Sequence, residues 1–117
     1  MNSEMSLRSA SESEKGFDKL ILEVLSGPMD GTRFKIEKKV VEIGRDQHKD
    51  ILLPLDSLVS RSHARISSKD KKFWLEDLGS TNGTYLMGEK VEAKVELHVE
   101  SIFRVGASEM RLTIGVA

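Results

Sequence analysis

Met110-Arg111-Leu112-Thr113-Ile114-Gly115-Val116 alternates apolar residues with polar or small ones at every step. A β-strand sends successive side chains to opposite faces, so this period of two marks a strand with one buried and one exposed face. The same period recurs upstream. Leu20, Leu22 and Val24 alternate with Ile21, Glu23 and Leu25, Val41 and Ile43 flank Glu42, and Phe73, Leu75 and Asp77 alternate with Trp74, Glu76 and Leu78. Phe34 and Ile36 follow a turn formed by Gly27-Pro28-Met29-Asp30-Gly31. Further breaks fall at Pro54, Lys69 to Lys72, Gly79 to Gly83, Gly88 and Gly106 to Ser108, and no helical face is sustained. Many short alternating strands punctuated in this way imply an all-β fold, an antiparallel sandwich.

The bulk properties narrow the function. At 117 residues the chain is long enough for one domain with a real core and no disulfide or metal. It has no cysteine, which removes zinc-thiolate sites and thiol nucleophiles. A net charge of -1 gives no global basic field to gather nucleic acid or an anionic membrane. No apolar run approaches the ~18 residues of a membrane span, so a cytoplasmic location is the expectation. Residues 1–16 differ from the rest: they carry Ser3, Ser6, Ser9, Ser11 and Ser13, mixed charges and few apolar side chains. Such a segment buries too little surface to offset its ordering entropy and reads as a disordered tail. Residues 17–117 form the folded domain.

Three polar stretches stand where hydrophobic runs end: Gly44-Arg45, Ser60-Arg61-Ser62-His63-Ala64 and Gly79-Ser80-Thr81-Asn82-Gly83-Thr84. They offer guanidinium, hydroxyl and amide donors, with Asp46 and Asp77 only at their margins. A guanidinium matches the oxygens of phosphate or carboxylate with paired donors. On position alone, Arg45 reads first as a surface arginine in a weak ion pair worth about 0–1 kcal/mol. Ser60 before a strand is ordinary turn chemistry, and His63 at a strand entrance reads first as a structural hydrogen-bonder. Asn82-Gly83 closes a tight connection because both residues tolerate positive φ. The loops of a sandwich gather at its ends, which gives these stretches a route to one another.

Competing chemistries fit less well. Gly79 to Thr84 lacks the lysine and following helix of a nucleotide-binding phosphate loop. His48 and His98 are far from His63 and supply no metal-ligand spacing, so neither a metal nor a cofactor is expected. Ser60, His63 and Asp77 could be cast as a triad, but no nucleophile elbow surrounds the serine and paired carboxylates are missing. The set is suited to holding an anion and poorly suited to breaking a bond, so no enzymatic activity is expected.

Gly44-Arg45, then Ser60-Arg61-x-His63-Ala64, then Asp77-x-x-Ser80-Thr81-Asn82-Gly83-Thr84 resembles the forkhead-associated (FHA) domain family. The resemblance runs from about Leu20 to Val116. It implies a sandwich of about eleven strands whose end loops recognise a phosphothreonine peptide, in phosphorylation-dependent signalling. Carried over by position, Arg45 and Ser60 would bind the phosphate, and Arg61 would add a contact. Thr81 would line the pocket, and Asn82 would hold the ligand backbone. Gly44, His63 and Gly83 would shape the loops. The partner implied is a phosphothreonine-containing protein, such as a Ser/Thr kinase or its substrate. Some small family members carry an N-terminal threonine that folds back once phosphorylated. Here the threonines are Thr32, Thr81, Thr84 and Thr113, so self-inhibition of that kind is not expected. The alternative reading is a phosphate-independent interaction or assembly domain of a larger protein, working through a sheet face or edge.

Overall fold

The computed structural model describes residues 20–114. The tail assigned to residues 1–16 lies outside the described residues, as do Phe17, Gly115 and Val116. Eleven strands follow in order: β1 (Leu20–Ser26), β2 (Arg33–Lys35), β3 (Val40–Gly44), β4 (Ile51–Leu52), β5 (Ala64–Lys69), β6 (Lys72–Asp77), β7 (Thr84–Leu86), β8 (Glu89–Lys90), β9 (Val95–Leu97), β10 (Ile102–Val105) and β11 (Ser108–Ile114). They form two sheets, ordered β2-β1-β11-β10-β7-β8 and β4-β3-β5-β6-β9.

Alternation places the core between the sheets. In β1 the side chains of Leu20, Leu22 and Val24 are buried, and β11 presents Met110 and Leu112 to the same layer. The two strands pair antiparallel, with Leu22 opposite Leu112, and a register shift between Val24 and Ser26 marks a bulge. The second sheet contributes Ile43, Ile66, Leu75 and Leu97 from its inner face. Full burial of such a side chain stabilises the fold by about 1.5–3 kcal/mol. The opposite face of this sheet carries Glu42, Arg65, Trp74 and Glu76, and Glu42 bonds Arg65 at 2.8 Å.

One pairing departs from the antiparallel expectation. β3 and β4 run parallel, with Ile43 beside Ile51 and Gly44 beside Leu52. The chain doubles back within residues 45–50 through a turn in which Lys49 N–H donates to Asp46 O at 2.9 Å. A full parallel strand needs a long crossover. β4, at two residues, extends only as far as so short a connection permits.

The consequence for function is directional. The C-termini of β3 and β6, the N-termini of β5 and β7, and the β10–β11 turn all lie at one end of the sandwich, as the registers Ile43–Ala64, Ala64–Asp77 and Thr84–Val105 require.

Candidate functional site

The three polar stretches meet at that end. Arg45 follows β3 directly. Its backbone N–H donates to Ser60 O at 3.1 Å and its Nε donates to Val59 O at 2.6 Å. The second bond fixes the plane of the guanidinium and leaves the N–H groups of both Nη atoms uncommitted among the described residues. Arg61 is exposed, and its carbonyl accepts the Asp46 N–H at 3.3 Å. Among the described residues neither arginine is in an ion pair, whereas Lys49 and Arg65 nearby both bond Glu42. Those two bonds hold the Glu42 carboxyl below its ordinary value.

Ser60 is held on three sides. Its N–H donates to His63 Nδ1 at 2.9 Å, its carbonyl receives Arg45, and its Oγ accepts the Thr81 N–H at 3.0 Å. The hydroxyl proton is therefore the donor left for a bound group. Asn82 Nδ2 donates to Leu58 O at 2.9 Å, which ties the β6–β7 loop to the β4–β5 loop and, among the described residues, leaves Oδ1 and the second N–H available. Thr81 and Asn82 are exposed.

The expected scaffold residues sit beneath this surface. His63 is fully buried. Because its Nδ1 accepts from a backbone N–H, its proton lies on Nε2, which donates to Gly83 O at 2.9 Å. Gly83 has φ +86, a conformation that favours glycine. At Gly44 the reason for glycine is contact rather than φ: the Arg61 carbonyl oxygen occupies the space that a Cβ would need.

Two carboxylates matter more than their sequence positions suggest. Asp77 Oδ1 accepts the hydroxyls of Ser80 at 2.6 Å and Thr84 at 2.7 Å, and Oδ2 accepts the N–H groups of Gly79 and Ser80, each at 3.0 Å. Burial opposes its charge, but these four bonds prevail and hold the carboxyl below its ordinary value. Ser80 Oγ in turn accepts the Gly83 N–H at 2.9 Å. Asp77 is thus the hub that shapes the β6–β7 loop. Asp56, only 1% exposed, was not singled out by sequence reasoning. It caps its own turn through Leu58 N–H at 3.1 Å, then reaches across to Ala107 N–H at 2.9 Å and Ser108 Oγ at 2.7 Å. The Asp-x-Leu spacing was a legible turn signal. The partners some fifty positions away were not.

This geometry does not assemble a triad. Both His63 ring nitrogens are committed to backbone groups, Ser60 Oγ faces Thr81, and Asp77 bonds Ser80 and Thr84 rather than the imidazole. Among the described residues no His, Cys, Asp and Glu cluster could hold a metal ion, and no helix is long and apolar enough to cross a membrane.

Comparison with known proteins agrees with the architecture. Residues 41–106 match the FHA domain family, and the chain belongs to it. FhaB, an FHA domain-containing protein of Mycolicibacterium smegmatis, is 37% identical over 91 residues, covering 78% of this chain and 58% of the relative. The chain therefore spans a little over half the length of that relative. An FHA domain of Chlamydia trachomatis superposes with a TM-score of 0.74 at 31% identity, over 83% of this chain and 98% of that one. A domain solved in a structural and functional analysis of phosphothreonine-dependent FHA interactions superposes at 0.72 with 30% identity, over 84% and 98%.

Proposed function

We propose that this domain binds phosphothreonine in partner proteins and so joins proteins in a phosphorylation-dependent way. The observation that carries the reading is the set of donors at one end of the sandwich that are uncommitted among the described residues. These are the Arg45 Nη groups, the exposed Arg61, the free Ser60 proton and the second Asn82 N–H, on loops that bond one another. Phosphothreonine brings about -1.5 to -2 charges and three acceptor oxygens. In the proposed complex Arg45 and Ser60 hold the phosphate, Arg61 adds a contact, Thr81 lies beside the threonine methyl and Asn82 holds the peptide backbone. The phosphothreonine-dependent interactions of the structural neighbour support this reading.

Energetics set its character. Each charge-assisted hydrogen bond contributes about 1.5–3 kcal/mol. Association costs on the order of 4–15 kcal/mol, so flanking contacts must add to the phosphate. Leu58, 48% exposed, and Leu55, 68% exposed, lie on the β4–β5 loop beside Ser60 and offer apolar area to residues that follow the phosphothreonine. Binding is then modest and reversible. The domain performs no bond-breaking step in this reading, and its partners are cytoplasmic Ser/Thr kinases or their substrates. Fluorescence titration with one peptide in threonine and phosphothreonine forms tests the proposal. Saturable binding of the phosphorylated form alone supports it, and equal binding of both forms contradicts it.

A further inference from the structure

A second surface lies at the other end of the five-stranded sheet, on its outward face. Val40 begins β3, Ser67 to Lys69 end β5, and Trp74 lies near the start of β6, with Val40 opposite Ser67 and Ser67 opposite Trp74. The Lys39 carbonyl accepts the Ser68 N–H at 2.7 Å and closes the floor. These residues line an open groove of about 540 Å³ together with Lys39, Lys69, Asp70 and Lys94. Its apolar part is Trp74 and Val40, the latter 47% exposed. Along β5 its near edge, Ser67, stands roughly 10 Å from Ala64, where the loops of the first site begin.

The charges around the groove are unbalanced. Lys35, Lys38, Lys49, Arg65 and Arg111 each face a carboxylate, whereas among the described residues Arg33, Arg45, Arg61, Lys71, Lys72, Lys90 and Arg104 face none. Among the described residues Lys39, Lys69 and Lys94 are in no ion pair. Asp70 is the one acidic group in the lining, and Glu96 stands across the strand from Trp74.

The hairpin tip above the groove breaks two local rules in the same direction. Lys69 and Lys72 are direct cross-strand partners, and like charges so placed repel. The turn between them has Asp70 at φ 56 and Lys71 at φ 63. A two-residue turn with positive φ at both positions normally takes asparagine or aspartate and then glycine, so Asp70 fits its place and Lys71 is the disfavoured residue. Local features that cost stability without a structural return concentrate at functional surfaces. An anionic partner would relieve the repulsion at this tip.

We infer that this groove docks an acidic peptide segment of a partner protein, with an apolar or aromatic residue against Trp74 and carboxylates on Lys39, Lys69 and Lys94. A cationic rim around an aromatic floor fits that chemistry: the aromatic anchor is desolvated at the centre, and the charges steer and orient at the rim. This surface is separate from the phosphothreonine site, and the inference stands whether or not that site reads phosphate.

Trp74 is the only tryptophan of the chain, so its emission reports on this groove. The probe is a short peptide of glutamates around one central phenylalanine, titrated into the full chain while Trp74 fluorescence and backbone amide shifts are followed. The expected result is a saturable, salt-sensitive change in Trp74 emission with shifts confined to residues around Lys39, Ser67 and Lys94. Lys39→Glu/Lys69→Glu/Lys94→Glu should weaken it by about tenfold or more while leaving any phosphothreonine-peptide affinity unchanged. Lys39→Gln/Lys69→Gln/Lys94→Gln gives the same direction should the reversal unfold the domain. No change in Trp74 emission or local shifts up to millimolar peptide overturns the inference. So does tighter binding at the same residues by a DNA oligonucleotide or phosphatidylserine vesicles.

Discussion

His63 accepts the Ser60 backbone N–H on Nδ1 at 2.9 Å and gives its Nε2 proton to Gly83 O at the same distance, so one buried ring joins two loops twenty residues apart. The imidazole acts as a strut whose tautomer is set by its partners. Nitrogen-15 NMR should show a neutral ring protonated on Nε2. His63→Phe keeps the bulk but leaves Ser60 N–H and Gly83 C=O unpaired, each costing about 1–3 kcal/mol. Urea denaturation should show that loss, and a change within error would remove the strut role.

Gly44 and Arg61 give a second test. An added Cβ at residue 44 would lie 2.8 Å from the Arg61 carbonyl carbon and closer still to its oxygen, and backbone there has nowhere to go. Gly44→Ala should destabilise the domain by about 1–3 kcal/mol, the usual range for overpacking. It should also shift the amide resonances of Asp46 and Arg61, which share a hydrogen bond. Unperturbed resonances would show that the loop has room.

Asp56 anchors the loop that carries Ser60 to the β10–β11 turn. Asp56→Ala strands the N–H groups of Leu58 and Ala107 and the Ser108 hydroxyl, at about 1–3 kcal/mol for each buried donor. Thermal unfolding should fall well below that of Asp56→Asn, whose side-chain oxygen keeps part of the set. Phosphopeptide affinity should fall in both variants through loss of loop position. Equal stability of Asp56→Ala and the parent would contradict the anchor.

The hub at Asp77 makes stability depend on acid. Its folded value lies below the ordinary 3.8, so the ionised form favours the fold. That stabilisation is complete above the ordinary value and is lost as pH falls through the folded one. Glu42 and Asp50, also lowered, act in the same direction. Denaturation measured from pH 7 down to about 2 should lose less stability in Asp77→Asn than in the parent, from a lower starting point. Parallel curves would show that Asp77 is not linked to folding.

Much of this was legible in the sequence, for identifiable reasons. β1 and β11 were visible because each is long enough to show the period of two over several residues. β4 and β8, at two residues each, have no period to show, and the parallel β3–β4 pair depends on a register that no local pattern records. The polar stretches declared their chemistry through residue type and order, and the family resemblance supplied the roles. Gly44 concealed its reason, because the obstruction is the Arg61 carbonyl. Asp56 concealed more, since its partners are Ala107 and Ser108. The Trp74 groove was hidden in ordinary strand alternation until register set Val40, Ser67 and Trp74 in one row.

Arg45, oriented by its bond to Val59 O, is the residue proposed to hold the phosphate. Isothermal titration calorimetry of a phosphothreonine peptide against the parent and Arg45→Ala tests it most directly, with circular dichroism to confirm that both are folded. Binding to the parent should weaken below about pH 6, as the phosphate takes up its second proton. Folded Arg45→Ala should show no measurable binding. Unchanged affinity in that folded variant would contradict this role for Arg45.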